Sequence, residues 1–510
     1  MKVYGVIKVK RNSKFFLYFF AVGMALNFVS CIHDADVHNY TVSYVTEYGD
    51  APQSFTVEEN TVLTKEQLPE MKEEGFRFEG WYDGAIEVKA GLYKVTKDVV
   101  LTAKWEEIKP IMYKVTYVTE YGEAPQTFTV EENTVLIMEQ LPKLNRSGYF
   151  FAGWYDGEKK VIADKYRVTH DVVLIAKWKI PVELKDCEFI NSLFEQASGG
   201  LDKPTRFIKS KKKPENANYY LDRFNRDVSL WYDENSSTLN YYIDEGKALG
   251  LYCASSDNLM FSYMSSLEYI DTSDFDTSNV KSMSNMFLDC CSLTELDLSS
   301  FDTESVTNMF QMFLGCTSLT GLDLRSFDTG NVVIMAGMFC ACSSLKELDL
   351  SSFETGKVTD MTCMFEACSS MTEFDLSSFN TSQVVYMHRM FDNCRTLQEL
   401  DLSIFNTKNV VDIGSMFADC LNILCIDLRS FETNSVIRMD SMFRYCTSLS
   451  KIITSEKFLT GKVEVSDDMF VGCKSLVGGK GTTYDSKKID KEYARIDKGM
   501  DNPGYFTAID

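Results

Sequence analysis

Histidine is scarce in this 510-residue chain, with four in all, and proline nearly so, with nine. That argues against a histidine-rich metal site and against proline-rich linkers. Positive charge is also in short supply: 52 Lys and Arg stand against 74 Asp and Glu, a formal net charge of −22. A generic electrostatic grip on nucleic acid needs a basic surface, so no nucleic-acid partner is expected. Beyond the first thirty residues there is no apolar run of about 18, so nothing else is expected to span a membrane. Glycine-rich phosphate loops, HExxH, zinc-spaced Cys-x-x-Cys pairs and nucleophile elbows are all missing. No catalytic residue, metal or cofactor is therefore assigned, and the chain is not read as an enzyme. What is there is an ordinary globular composition, 45% hydrophobic and 25% charged. The length predicts several domains.

The chain opens with Lys2, Lys8, Lys10, Arg11 and Lys14 and no acid, followed by an uncharged, mostly apolar run from Phe15 to Val29. This is too short for a comfortable membrane span and right for the core of a signal peptide. The run ends in Phe28-Val29-Ser30-Cys31, which resembles a bacterial lipoprotein cleavage box, with Phe28 where the box usually has Leu. The resemblance implies that residues 1–31 are a signal peptide ending at a lipidation site, Cys31. A lipid anchor at the N-terminus would then be the chain's membrane attachment.

Two tandem copies follow. Tyr40-Thr-Val-Ser-Tyr-Val-Thr-Glu-Tyr-Gly49 matches Tyr113-Lys-Val-Thr-Tyr-Val-Thr-Glu-Tyr-Gly122, and the register holds without a gap through Trp105 and Trp178. Alternation predicts strands at both ends of each copy, with a short helical turn before Pro69 and Pro142. The Gly80-Trp-Tyr-Asp-Gly84 and Gly153-Trp-Tyr-Asp-Gly157 elements, with the closing Ala-Lys-Trp, resemble the internalin B-type (Listeria–Bacteroides) repeat. That resemblance implies two small β-grasp-like α+β modules over residues 39–106 and 112–179, acting as spacers or modest binders. Their aromatics read as core.

From 258 to 478 a period of 26 governs the chain. Phe275, Phe301, Phe327, Phe353, Phe379, Phe405 and Phe431 keep it, and Phe458 follows one residue late. Columns of Thr, Val and Met-Phe pairs share the interval, which signals stacked supersecondary units. The Leu-x-x-Leu-x-Leu piece predicts a strand, and Val-x-x-Met-x-x-Met-Phe has helical spacing. The phrase Ser-Phe-Asp-Thr-x-x-Val-x-x-Met-x-x-Met-Phe-x-x-Cys-x-Ser-Leu resembles the BspA-like leucine-rich repeats of bacterial surface proteins, which implies a leucine-rich-repeat solenoid of 26-residue coils. Residues 181–257 read as a linker and N-terminal cap, with a helix over Asp186–Ala197, a basic loop over Lys203–Lys213 and two strands. Residues 479–510 resemble the closing segment of that family.

Cysteine follows the same period. Cys290, Cys316, Cys342, Cys368, Cys394, Cys420 and Cys446, with Cys473 after the slip, form one column. In-register side chains on parallel coils point the same way, which suits disulfide geometry poorly, so the column reads as buried free thiols. Cys187 and Cys253 form a candidate pair. Met283, Met309, Met335, Met361, Met387 and Met439 read as core rather than a copper site.

One outward position is acidic in every coil: Asp271, Asp297, Asp323, Asp349, Asp375, Asp401 and Asp427. Glu295, Glu347, Glu373 and Glu399 stand two residues earlier on the same side, and Arg325 and Arg429 relieve the charge in two coils. Two roles are open: capping turn amides in each coil, or presenting an acidic face to a cationic partner. With the family resemblances, the expectation is an exported, lipid-anchored protein of the cell surface or outer membrane, or otherwise a secreted one. It would bind a protein partner, a host extracellular protein or another microbial surface, in adhesion. The alternative is a structural, envelope-spacing lipoprotein without a specific ligand.

Overall fold

The computed structural model describes residues 38–215, 217–252 and 258–508. The expected signal peptide, its cleavage box and Cys31 lie outside the described residues. The chain divides into two compact units, 1–111 and 112–510.

The first unit holds module 1. Its strands are β1 (Asn39–Val45), β2 (Phe55–Glu58), β3 (Phe76–Asp83), β4 (Ile86–Glu87) and β5 (Val99–Glu107). They form one sheet in the order β2-β1-β5-β3-β4, with β1 and β5 parallel and the other pairs antiparallel. Alternation does the work here. Val99, Leu101 and Ala103 of β5 are buried while their neighbours face solvent. They close a core around Val42, Leu63 and Trp81. The Trp81 indole N–H donates to the Pro69 carbonyl, so the buried aromatic keeps its polar edge satisfied.

In the second unit, module 2 repeats this plan with β6 (Met112–Val118), β7 (Phe128–Glu131), β8 (Phe150–Asp156), β9 (Lys159–Lys160) and β10 (Val172–Asp186). Trp154 donates to Pro142 in the same way. One difference matters. β10 runs 15 residues, beyond the module, and pairs in parallel with β15 (Lys247–Tyr252). Between them lie α1 (Cys187–Ser198) and the strands β11 (Arg206–Lys209), β12 (Tyr219–Tyr220), β13 (Ser229–Asp233) and β14 (Thr238–Tyr242). The Asp186 carboxylate caps α1 by accepting from the Glu188 N–H, and Gly199 ends it at φ 74°. The basic stretch is thus partly strand, because Phe207 is buried and β11 pairs with β14. Cys187 is disulfide-bonded, and its candidate partner, Cys253, lies outside the described residues.

The coils stack in register. Phe261, Phe287, Phe313, Phe339, Phe365, Phe391, Phe417, Phe443 and Phe470 form a column of parallel rings with centroids 5.5–6.0 Å apart and interplanar angles of 1–13°. Each Thr of the hydroxyl column bridges to the next coil. Thr303 donates to the Asp328 carbonyl at 2.8 Å and accepts the Asp328 N–H at 2.8 Å. The Cys290 to Cys473 column is buried and free. Each thiol donates to a Phe carbonyl of the preceding coil at 2.9–3.2 Å. Burial pushes the Cys342 thiol up to about 12. The Met column is fully buried.

Two α+β modules followed by a leucine-rich-repeat solenoid is not what the structure shows. The chain is nearly all β, in small sheets of five, seven, five, two and three strands, and α1 is the one α-helix among the described residues. Neither module packs a helix on its sheet; the expected helical turn is a 3-10 turn at Met138–Gln140 in module 2 and irregular in module 1. In the coils the helix-spaced segment is a run of turns. Each coil places two residues in the left-handed region: Gln311 (φ 54°) and Gly315 (76°), Arg389 (57°) and Asn393 (62°), Ser441 (56°) and Tyr445 (56°). A residue at positive φ interrupts a right-handed helix. The freed N–H groups point along the stack instead. Met309, Gln311, Phe313 and Gly315 donate to the carbonyls of Ile334, Ala336, Met338 and Cys340 in the next coil. The leucine side carries less of the ladder, with strands of only two residues at β18 (Gly321–Leu322) and β19 (Glu347–Leu348).

The far end closes with β20 (Cys425–Leu428), β21 (Lys451–Thr454) and β22 (Phe506–Ala508) in one parallel sheet. Asp497 ties down this last segment. It accepts from the N–H groups of Lys480, Thr482 and Gly499 and from the Thr482 hydroxyl. Burial opposes its ionisation, but these donors prevail and hold its pKa at about 2. An unfolded Asp titrates near ~3.9. The stabilisation is therefore complete above about pH 4 and is lost as pH falls through about 2. Thermal unfolding followed from pH 5 to pH 2 should show this loss, and Asp497→Asn should flatten that part of the profile.

Candidate functional site

The acidic positions form a ribbon along one side of the stack. Asp297, Asp323, Asp349, Asp375 and Asp401 are exposed, as are Glu295, Glu347, Glu373 and Glu399, while Asp271 and Asp427 are half-buried. Each Asp accepts, through Oδ1, the backbone N–H two residues on. Ser273, Ser299, Arg325, Ser351, Ser377, Ser403 and Arg429 are the donors, at 2.9–3.2 Å. The repeated Asp is thus a turn-capping residue, and its second oxygen points away from the coil. These bonds favour the charged form. The Ser377 hydroxyl and N–H hold Asp375 below the usual carboxylate range, and the Ser403 N–H does the same for Asp401. Arg325 holds Asp323 down through a two-pronged pairing, and Arg429 pairs with Asp427 in the same manner.

Part of this ribbon is already occupied. Module 2 sits against the first three coils. Lys143 pairs with Asp302 at 2.8 Å, Asp164 with Arg325 at 2.6 Å, and Lys179 with Asp274. Lys160, half-buried, has Asp297, Asp274 and Asp271 for its attracting charges. Inside this ring of charge Phe150 and Ala152 pack against Ala248 of β15. Beside it a cleft of about 460 Å³ separates Lys143, Arg146 and Tyr149 from Asp276, Asp302 and Glu304. Asp274 is the hub. Its carboxylate is fully buried between Lys179 of module 2 and Lys209 of β11, so one charge ties module, cap and coil together.

Module 1 shows why only its twin docks. At the positions of Lys143, Phe150, Ala152, Lys160, Asp164 and Lys179 it carries Glu70, Arg77, Glu79, Glu87, Gly91 and Glu106. Arg77 pairs with Glu79 and Glu106 on the surface, where module 2 has an apolar contact. An acidic face cannot settle on an acidic ribbon. The signal lay in the sequence, in the charge reversals between otherwise matching copies.

Among the described residues no group of His, Cys, Asp or Glu is placed to hold a metal ion, and no helix is long and apolar enough to cross a membrane.

Residues 40–104 and 113–177 each match the Listeria-Bacteroides repeat domain. Both modules are similar to that repeat along nearly their whole length. The coils match, over 256–373, 318–423 and 369–480, the family described as Mycoplasma protein of unknown function, DUF285. Two proteins of Evansella cellulosilytica are similar in part. One, named "Putative membrane protein", is 29% identical over 151 residues, 28% of this chain and 22% of that protein. The other, "Putative Gly-rich membrane protein", is 29% identical over 153 residues, 29% of this chain and 17% of that protein. The chain spans about a fifth of the length of these curated relatives. No solved structure matches it. The chain is a repeat protein, two tandem modules and an array of coils, with partial similarity to proteins named for membranes.

Replacing Asp274 by Ala leaves two lysines facing a buried gap. Breaking such a pair costs about 3 kcal/mol. Chemical denaturation of the full chain should show a loss of that size, or a separate early transition for module 2.

Proposed function

We propose that this is an exported cell-surface protein that binds other proteins through the uncovered part of its acidic ribbon, in adhesion, and that it is not an enzyme. The observation that carries this reading is the docking of module 2. The chain itself uses the ribbon to hold a folded protein surface by matching lysines to its carboxylates, and the same carboxylates continue past the docked module. The similarity to proteins named for membranes supports a location at the envelope. Anchoring through a lipidated Cys31 is part of the proposal, and the mass of the mature N-terminus tests it.

The partner, on this reading, is a host extracellular protein or a surface protein of another microbe with a basic patch. Replacing Asp349, Asp375 and Asp401 by Asn removes charge while keeping an oxygen acceptor for each turn amide. Capture of matrix proteins by the immobilised chain should be saturable and should weaken about tenfold or more in this variant, with unchanged thermal stability. Equal capture by both proteins, or none by either, defeats the adhesive reading and leaves the envelope-spacing one.

A further inference from the structure

The ribbon repeats the seat of module 2 a second time. Seven coils carry the capping Asp, and the residue two positions on reads Ser273, Ser299, Arg325, Ser351, Ser377, Ser403, Arg429. The docked coils hold Asp271, Asp297 and Asp323 with Arg325. Four coils later Asp375, Asp401 and Asp427 with Arg429 reproduce the pattern, and Glu295 recurs as Glu399. The geometry recurs with it. Arg325 binds Asp323 at 2.7 Å through one nitrogen and reaches Asp164 of module 2 at 2.6 Å through another. Arg429 binds Asp427 at 2.7 Å identically and, among the described residues, has no second acid.

We infer that the coils bearing Asp375, Asp401, Asp427 and Arg429 form a second seat for a module of the Listeria–Bacteroides type, supplied by a partner protein. That module carries what module 2 carries: an apolar sheet centre, lysines around it at the positions of Lys160 and Lys179, and an aspartate at the position of Asp164 to meet the guanidinium of Arg429. A second copy of this chain does not qualify. Its module 2 is already seated, and its module 1 has Glu87, Gly91 and Glu106 at those positions. The inference rests on the protein-binding reading of the ribbon and narrows it to one kind of partner.

Module 1 supplies the probe. Glu70→Lys, Arg77→Phe, Glu79→Ala, Glu87→Lys, Gly91→Asp and Glu106→Lys give it the docking face, and all six positions are exposed, outside the module core. Gly91 has φ 77°, and its counterpart Asp164 already holds 59°. Cys425 is the natural reporter. It stands two residues before Asp427 on β20 and is the exposed member of the free cysteines from Cys290 to Cys473. In the converted full-length chain, maleimide labelling of Cys425, read by peptide mass, should slow about tenfold at low salt. Arg429→Glu with Asp401→Lys in the same chain should restore the rate. Sedimentation separates docking between copies from docking within one. Unchanged labelling of Cys425 overturns the seat, and so does slowing that survives the two reversals. A charge-only version, without the Phe and Ala changes, guards against misfolding of module 1; it should give a smaller slowing, abolished by the same reversals, and no slowing in it overturns the seat if the full conversion does not fold. Capture of matrix proteins without any protection of Cys425 would discard this seat and leave the adhesive face standing.

Discussion

Every coil has to lay each side chain over its counterpart 26 residues earlier, and a ladder of turn amides enforces this. Two left-handed residues per coil turn alternate N–H groups toward the neighbouring coil, where carbonyls receive them. Left-handed backbone costs a non-glycine residue of order 1 kcal/mol, so the arrangement stands only because each such residue releases a donor that the next coil satisfies. The aromatic column, the hydroxyl bridges and the thiol contacts all follow from that register. None of them exists within a single coil, so cooperativity between neighbours holds the array together.

The periodic columns were legible in the sequence because the stack repeats one environment at one interval. Phe287, Cys316 and Thr303 lie where a buried, in-register position predicts. The helix was not legible as a failure. Val-x-x-Met-x-x-Met-Phe has the spacing of a helical face, but so does a run of tight turns, and nothing at Gln311, Cys363 or Arg389 announces positive φ as glycine would. The small sheets were missed for a related reason. Leu-x-x-Leu-x-Leu alternates like a strand, yet alternation reports burial and not hydrogen bonding, and here most of the bonding lies on the other side of the coil.

At the candidate site the carboxylate row was visible and its occupancy was not. Module 2 reads like module 1 at every core position, so similarity alone makes both spacers. The difference sits in six surface residues, where Arg77 and Glu79 become Phe150 and Ala152 and glutamates become lysines. A module with charge at its sheet centre stays solvated, whereas one with a phenylalanine there needs a cover. Fold is common to the two copies and role is not, because role depends on a face that the core does not dictate.

The last full coil is one residue longer than its predecessors. Leu428 aligns with Thr454 at the usual interval, but Phe431 aligns with Phe458, so the extra residue lies in the stretch Ser455–Lys457. That stretch is a surface bend between two ladders, and the phenylalanine and thiol columns resume beyond it unbroken. Length errors are thus tolerable in one window per coil and nowhere else. Gain or loss of an entire 26-residue block, in contrast, leaves every neighbour contact as it was. A gene built this way can lengthen or shorten its product by in-frame recombination between near-identical segments, so that descendants differ in reach while sharing one grip.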